Sequence, residues 1–406
     1  MSYYQVKNLE QYFKHYNKSI REPRKFWDKI AEENFIKDNL KWLNQLKLRG
    51  TFAYTGNSSG ISYFGYRESY TAGESYLFGG TNTQSTSGLT EQQTLITRGL
   101  QWEKAHKVNI GLDVGVFNNR LSLTADYYND RYFDLIRGRG LNSSLLGANY
   151  APENLGVTRY TGADLTLTYQ NRINDFNYFI TANLTLENSK IIFQDELGRL
   201  YDYNVRTGLP ADADFAYVAN GLLQTEAEAA AAPTFNGITA KPGDIRYIDQ
   251  NNDGIISEFD QVLVGNTRPK SWYGINIGFN YKGFDFSALL QGVGNSYTYT
   301  NDFTAWFNDN QQAYNRIIGR WTPETAATAT LPRLQLGSFN YNSSASTYWR
   351  TSNNYFRLKN VEIGYNLPVK LVNKLKISGL RIFASGLNLF THADNDIKDP
   401  EVSGTA

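Results

Sequence analysis

Cysteine is absent from all 406 residues. That removes disulfides, thiolate metal sites and cysteine nucleophiles together. Histidine occurs only at His15, His106 and His392, positions too far apart and too dissimilar in setting to form a His-rich metal site. No run approaches the ~18 apolar residues of a transmembrane helix, and no apolar signal-peptide core follows Met1-Ser2-Tyr3-Tyr4-Gln5. Forty Lys and Arg against 39 Asp and Glu leave a formal charge of +1. The chain therefore lacks the basic field by which proteins bind nucleic acid through counterion release, and no nucleic-acid partner is expected. Nucleophile-elbow, Walker, His-Glu-x-x-His and dinucleotide signatures are missing. Pairs such as Glu32/Glu33 and Asp394/Asp396 are what 39 acidic residues produce by chance, so the chain does not read as an enzyme.

Aromatic residues are abundant, at 15% with 29 Tyr, 23 Phe and 7 Trp. They sit in a period-2 pattern, the mark of strands with one apolar and one polar face. Val108, Ile110, Leu112, Val114 and Val116 alternate with Asn109, Gly111, Asp113 and Gly115. After a tight turn at Phe117-Asn118-Asn119-Arg120, the alternation resumes with Leu121, Leu123, Ala125 and Tyr127. Leu165–Tyr169 with Tyr178–Leu186, Tyr273–Tyr281 with Phe284–Leu290, and Tyr355–Leu367 with Leu380–Thr391 repeat the unit. About nine strands result, from near Leu46 to near Thr391.

Connections alternate strictly between short turns, near 118, 173, 282 and 368–379, and long loops at about 56–104, 138–156, 194–269 and 298–353. That parity belongs to membrane-spanning barrels with short turns on one side and long loops on the other. Strands of a barrel are apolar only on alternate residues, so a mean hydropathy of −0.48 does not argue against it. Tyr54, Tyr127, Tyr128, Tyr169, Tyr178, Trp272, Tyr273, Tyr281, Phe284, Tyr365 and Phe390 lie near strand ends, where interfacial girdles would sit. The fold class expected is all-β, a partial antiparallel transmembrane β-barrel with long extracellular loops. Nine strands leave such a barrel open, and no further strand follows Thr391 to close it. The competing reading is a secreted or surface β-rich module, calcium-stabilised and carbohydrate-binding, whose apolar strand faces would be buried between two sheets. Residues 1–45 are charged and compatible with a helical lead-in, with 46–406 forming the barrel part; Glu226–Ala232 is a short helical piece inside the longest loop.

One stretch carries ligand chemistry. Asp249-Gln250-Asn251-Asn252-Asp253-Gly254-Ile255-Ile256-Ser257-Glu258-Phe259-Asp260 places Asp249, Asn251, Asp253, Ile255, Ser257 and Asp260 at positions 1, 3, 5, 7, 9 and 12 of a calcium loop, with Gly254 at the sharp turn. Calcium is the expected ion. Asp260, standing where Glu is usual, has a shorter arm that weakens calcium or admits magnesium. The alternative is an ordinary turn in which Asx side chains bond the local backbone. Loop aromatics Tyr297, Tyr299, Phe303, Trp306, Phe307, Tyr314, Trp321, Tyr348 and Trp349 fit either a ligand-contacting surface or the cores of ordered loops.

Several runs, in order, resemble the SusC/RagA-type TonB-dependent outer-membrane transporters. They are Tyr54-Thr55-Gly56-Asn57, Leu100-Gln101-Trp102-Glu103-Lys104 with Val108–Asp113 and Phe117–Leu121, Pro242-Gly243-Asp244-Ile245-Arg246-Tyr247, Phe356–Val361 with Gly364–Pro368, and Ser385–Phe390. The resemblance runs from about residue 34 onward and implies the C-terminal part of a barrel of about 22 strands. Plug domain, TonB box, earlier strands and last strand have no counterpart. It further implies residence in the bacterial outer membrane in contact with its lipid, and uptake of oligosaccharide or peptide nutrients. The implied partners are a SusD-like surface lipoprotein over the outer loops, and TonB acting through the plug.

Overall fold

A computed structural model describes residues 42–59, 99–141, 149–301, 315–334, 340–374 and 376–401, with short pieces elsewhere. Of the charged lead-in only residues 14, 16–19, 21 and 22 are described ahead of residue 42; the remainder lies outside the described residues.

Nine long strands form one antiparallel sheet in sequence order. They are β1 (Leu43–Asn57), β2 (Glu103–Val116), β3 (Leu121–Arg137), β4 (Glu153–Ile173), β5 (Phe176–Phe193), β6 (Ser271–Tyr281), β7 (Phe284–Gly294), β8 (Tyr355–Asn366) and β9 (Arg381–Ala393). Among the described residues the sheet stays open, with β1 and β9 each paired on one side only. No second large sheet covers it among the described residues. Every short turn lies at one edge. Lys282 and Gly283, both with positive φ, make the two-residue hairpin between β6 and β7. Phe117, Asn118 and Asn119 are all left-handed at the β2–β3 turn. The β8–β9 connection holds a short helix, Val369–Lys374, whose Val372 is buried.

Register separates the two faces. One is apolar: Leu48 pairs with Leu112, which lies beside Ala125, and Leu165 pairs with both Ala125 and Leu184. Among the described residues nothing covers this face; Leu48 is 75% and Phe52 71% exposed. At the turn edge it carries a belt of rings, in which Phe176 contacts Tyr178 and Phe279 at 5.5 Å and Phe284 meets Tyr365 at 4.4 Å. Tyr54 and Phe133 flank His106 at the loop edge. Two of the expected girdle residues belong elsewhere. Tyr128 pairs with Asn109 and Gly162, and Trp272 with Thr185, so both lie on the polar face. Period-2 alternation flips a side chain with every residue, and both have an aromatic neighbour, Tyr127 or Tyr273, on the apolar side.

The polar face is laced by arginines that reach across a whole strand. In register, Arg49 of β1, Gly111 of β2 and Asp126 of β3 form one row. With no side chain at the middle position, Arg49 spans it and bonds Asp126 at 2.7 Å and Asp113 at 3.0 Å. A Cβ on Gly111 would stand 2.6 Å from the guanidinium carbon. The same device recurs at the other edge. Arg381 of β9 passes over Gly364 of β8 to Asp285 of β7, and also bonds Glu362.

Substitution on the two faces should therefore differ by depth and sign. Leu165→Arg is expected to cost about 2–4 kcal/mol in reversible denaturation from lipid vesicles, and Thr166→Arg, next door on the polar face, about 1 kcal/mol or less. Equal costs would contradict the assignment of faces.

Candidate functional site

Above the loop edge, the connections β5–β6 and β7–β8 fold together into a module with its own core. Ala213–Tyr217 pairs with Gln261–Asn266, Ala219–Leu222 with Ile245–Tyr247, and Tyr297–Tyr299 with Arg350–Ser352. Tyr217, Leu223, Phe235, Ile245, Tyr247 and Ile256 from the first loop close on Leu331, Tyr341 and Trp349 from the second. The helical piece forms as Glu226–Ala231, capped by the Thr225 hydroxyl, which accepts from the Glu228 amide.

At the centre is Asp244, fully buried. Arg333 donates to it from Nε at 2.6 Å and Nη2 at 3.2 Å, Asn342 Nδ2 donates at 2.8 Å, and the Lys241 amide donates at 2.8 Å. Asn342 in turn accepts from the Ile245 amide, and its carbonyl accepts from the Trp349 indole. A buried carboxylate is stable only when its lone pairs are filled in this way. Gly243, left-handed at φ 86°, packs under Trp321 where a Cβ would stand 2.5 Å from the ring. The Pro242-Gly243-Asp244 run is thus a turn made to deliver this carboxylate. Of the loop aromatics, Trp349 is core, Tyr299, Trp321 and Tyr348 pack against the core, and Tyr297 faces a cavity. Phe303, Trp306, Phe307 and Tyr314 lie outside the described residues.

The stretch 249–260 belongs to this module through Ile256, which is part of its core. Asp249 accepts from the amides of Asn252, Asp253 and Gly254, and Asp253 from that of Ile255. The Asn251 amide group donates to the Asp253 carboxylate at 2.9 Å. Asn252 and Gly254 are left-handed. Ser257 and Asp260 build a capping box over Glu258–Asp260, and the buried Asp260 also accepts from the Gln250 amide. Ile256 is fully buried in the module core, whereas Ile255 is 48% exposed. Asp249, Asn251 and Asp253 are therefore brought together through the backbone they wrap, while Ser257 and Asp260 bond each other. Among the described residues no group of three or more acidic or histidine side chains converges on a common point.

Beneath the module, on the polar face, lies a cavity of about 570 Å³. Trp272, Tyr297 and Tyr355 supply rings, and Gln291, Lys359 and Glu401 supply polar groups. Glu401 belongs to the segment after β9, which folds back over the strand ends. Burial opposes its ionisation, but Lys359 and Arg357 outweigh that and hold its carboxyl below the usual value. None of these residues forms a recognisable spacing in the sequence, and only the sheet register assembles them.

Two measurements probe the module. Asp244→Ala leaves Arg333 without its buried partner and should destabilise the module by roughly 3–5 kcal/mol, read as lost hydrogen-exchange protection at the Ile245 amide. The second concerns pH. Burial raises the Glu196 carboxyl, but the Arg206 and Thr207 amides and the Thr207 hydroxyl bring it down to about 2. An unfolded glutamate titrates near 4.3, so its contribution is complete above that value and lost as pH falls toward about 2. Protection of the Arg206 and Thr207 amides should fade across that window, and in Glu196→Gln the fading should vanish.

Comparison with known proteins places this architecture. The sequence pattern of the family described as TonB dependent receptor-like, beta-barrel, matches residues 34–254. TonB-dependent receptor P3 of Formosa agariphila is 26% identical over 391 residues, covering 92% of this chain and 37% of its own length. TonB-dependent receptor SusC of Bacteroides thetaiotaomicron is 26% identical, with the same two coverages. The solved structure of the RagAB peptide transporter superposes with a TM-score of 0.67 at 22% identity, over 92% of this chain and 40% of that one. The chain thus spans about two fifths of the length of the relatives it matches. A two-faced sheet with short turns on one edge, long loops on the other and a family match over more than half its residues has one reading: the chain belongs to the TonB-dependent receptor-like β-barrel family of bacterial outer-membrane proteins.

Proposed function

We propose that the chain forms a wall of the import path in an outer-membrane nutrient receptor of the SusC/RagA type. The apolar face meets lipid and the polar face lines the lumen. The loop module stands outside the cell, where a SusD-like lipoprotein covers it. TonB acts on the whole receptor through its plug. The observation that carries this reading is the cavity on the polar face, lined by both rings and hydrogen-bonding groups. Such a surface suits oligosaccharides or peptides, whose apolar patches stack on rings while their polar groups are bonded one by one. The relatives named as receptors and the one named a peptide transporter support uptake and not catalysis.

Uptake of fluorescent oligosaccharide and peptide libraries by cells carrying the receptor tests this. Trp272→Ala should lower apparent affinity roughly tenfold, or about 1.4 kcal/mol for a lost ring platform. Unchanged uptake in a correctly inserted variant would overturn the role of the cavity.

We further propose that the 249–260 loop takes calcium as a staple of the module. The support is its register and the folding of residues 252–254 around Asp249, which sets the turn a cation loop requires. A calcium titration followed by melting should show saturable stabilisation, lost in Asp249→Ala. No shift up to about millimolar calcium would sink the idea.

A further inference from the structure

Glu401 sits in a receptor for carboxylates. Its Oε1 accepts from Gln291 Nε2 at 2.5 Å and from the Tyr355 hydroxyl at 3.4 Å. Its Oε2 takes Lys359 Nζ at 2.5 Å and Arg357 Nη1 at 2.8 Å. Four donors from β7 and β8 thus converge on one carboxylate. Arg357 is only 4% exposed, and is fixed from behind by Nε donating to Thr391 Oγ1 at 2.8 Å. It cannot turn to water, so it demands an anion. The anion comes from the segment after β9, which is also held there by the Pro400 carbonyl, accepting from Asn353 Nδ2 at 3.0 Å, and by the half-exposed Asp399, which offers Arg357 a second carboxylate. The same Glu401, Lys359, Gln291 and Tyr355 line the cavity that Trp272 and Tyr297 share.

We infer that Glu401 is a built-in stand-in for the carboxylate of an incoming ligand, and that Gln291, Tyr355, Arg357 and Lys359 are the site that recognises it. A ligand carboxylate replacing that of Glu401 can accept from the same four donors, and the buried guanidinium stays paired. The exchange therefore carries little electrostatic cost, whereas a neutral ligand entering the same place would leave Lys359 without its carboxylate and the buried Arg357 with Asp399 alone. Charge-assisted bonds from Arg357 and Lys359 to one carboxylate oxygen supply the selectivity. Displacement frees the 399–401 segment from the cavity roof, so binding and opening are one event. Two ligand sources share this chemistry, the α-carboxylate of a peptide and the carboxylate of a uronic acid. The inference rests on the lumen being the ligand's path.

Calorimetry on the detergent-solubilised protein tests it without transport, so a failure here leaves the uptake result standing. The probes are an N-acetylated Trp-Ala dipeptide acid and its C-terminal amide, and digalacturonate with a neutral disaccharide. Glu401→Ala should bind one of the acids about tenfold tighter than the unaltered protein does, with no gain for its neutral counterpart. The acid that gains identifies the source. Adding Lys359→Gln to Glu401→Ala should remove the gain. Equal behaviour of acids and neutral probes, or a gain that survives Lys359→Gln, overturns the assignment. In the unaltered protein, saturating acid should accelerate hydrogen exchange at the Glu401 amide, and exchange unmoved by either acid would also overturn it.

Discussion

Hydrocarbon offers no hydrogen bonds, so every backbone amide and carbonyl that enters it must find a partner in the protein. The rest of this structure follows from that constraint. Strands pair in sequence order, with short turns joining four of the eight neighbouring pairs and long loops the other four. Alternation then gives each strand two environments, and the register keeps all nine in agreement, apolar beside apolar across every pairing in the membrane region. The polar face must in turn satisfy its own charges. Arg49 and Arg381 do so across two strands at once, each through a glycine gap, tying the sheet laterally near both of its edges.

A different logic holds the outer module. Water is available there, so loops of this length need cores of their own to stay ordered. The Tyr217–Trp349 cluster provides the apolar part, and Asp244 the directional part, since one buried carboxylate fixes Arg333 and Asn342 from a distant loop. The 249–260 loop shelves against this core through Ile256. The loop-side ends of β6, β7 and β8 line the polar-face cavity together with Pro400 and Glu401.

The strands were legible in the sequence because their signal is local. Val108–Val116 announces two faces within one segment, and the strand ends expected near Leu46 and Thr391 fell within a few residues of Leu43 and Ala393. The helical Glu226–Ala231 was legible for the same reason. Tyr128 and Trp272, grouped with the girdle aromatics, lie on the polar face, while their neighbours Tyr127 and Tyr273 lie on the apolar one. The Asp244 hub was not legible at all: its partners stand 89 and 98 residues away, and nothing in Pro242-Gly243-Asp244 names them. Gly111 and Gly364 stood inside quoted family runs without an evident purpose, and the register supplied one, passage for an arginine. The carboxylate cage around Glu401 was invisible for the Asp244 reason, being drawn from two strands and a trailing segment.

The central claim is that the sheet divides lipid from lumen residue by residue. Because the chain has no cysteine, a single one placed anywhere is unique. Spin labels at successive positions 272–279 of β6, in lipid bilayers, measure this directly through their accessibility to oxygen and to a water-soluble nickel chelate. The account predicts strict alternation, with 273, 275, 277 and 279 favouring oxygen and 272, 274, 276 and 278 favouring the chelate. A helical period, or uniform exposure along the strand, would contradict it.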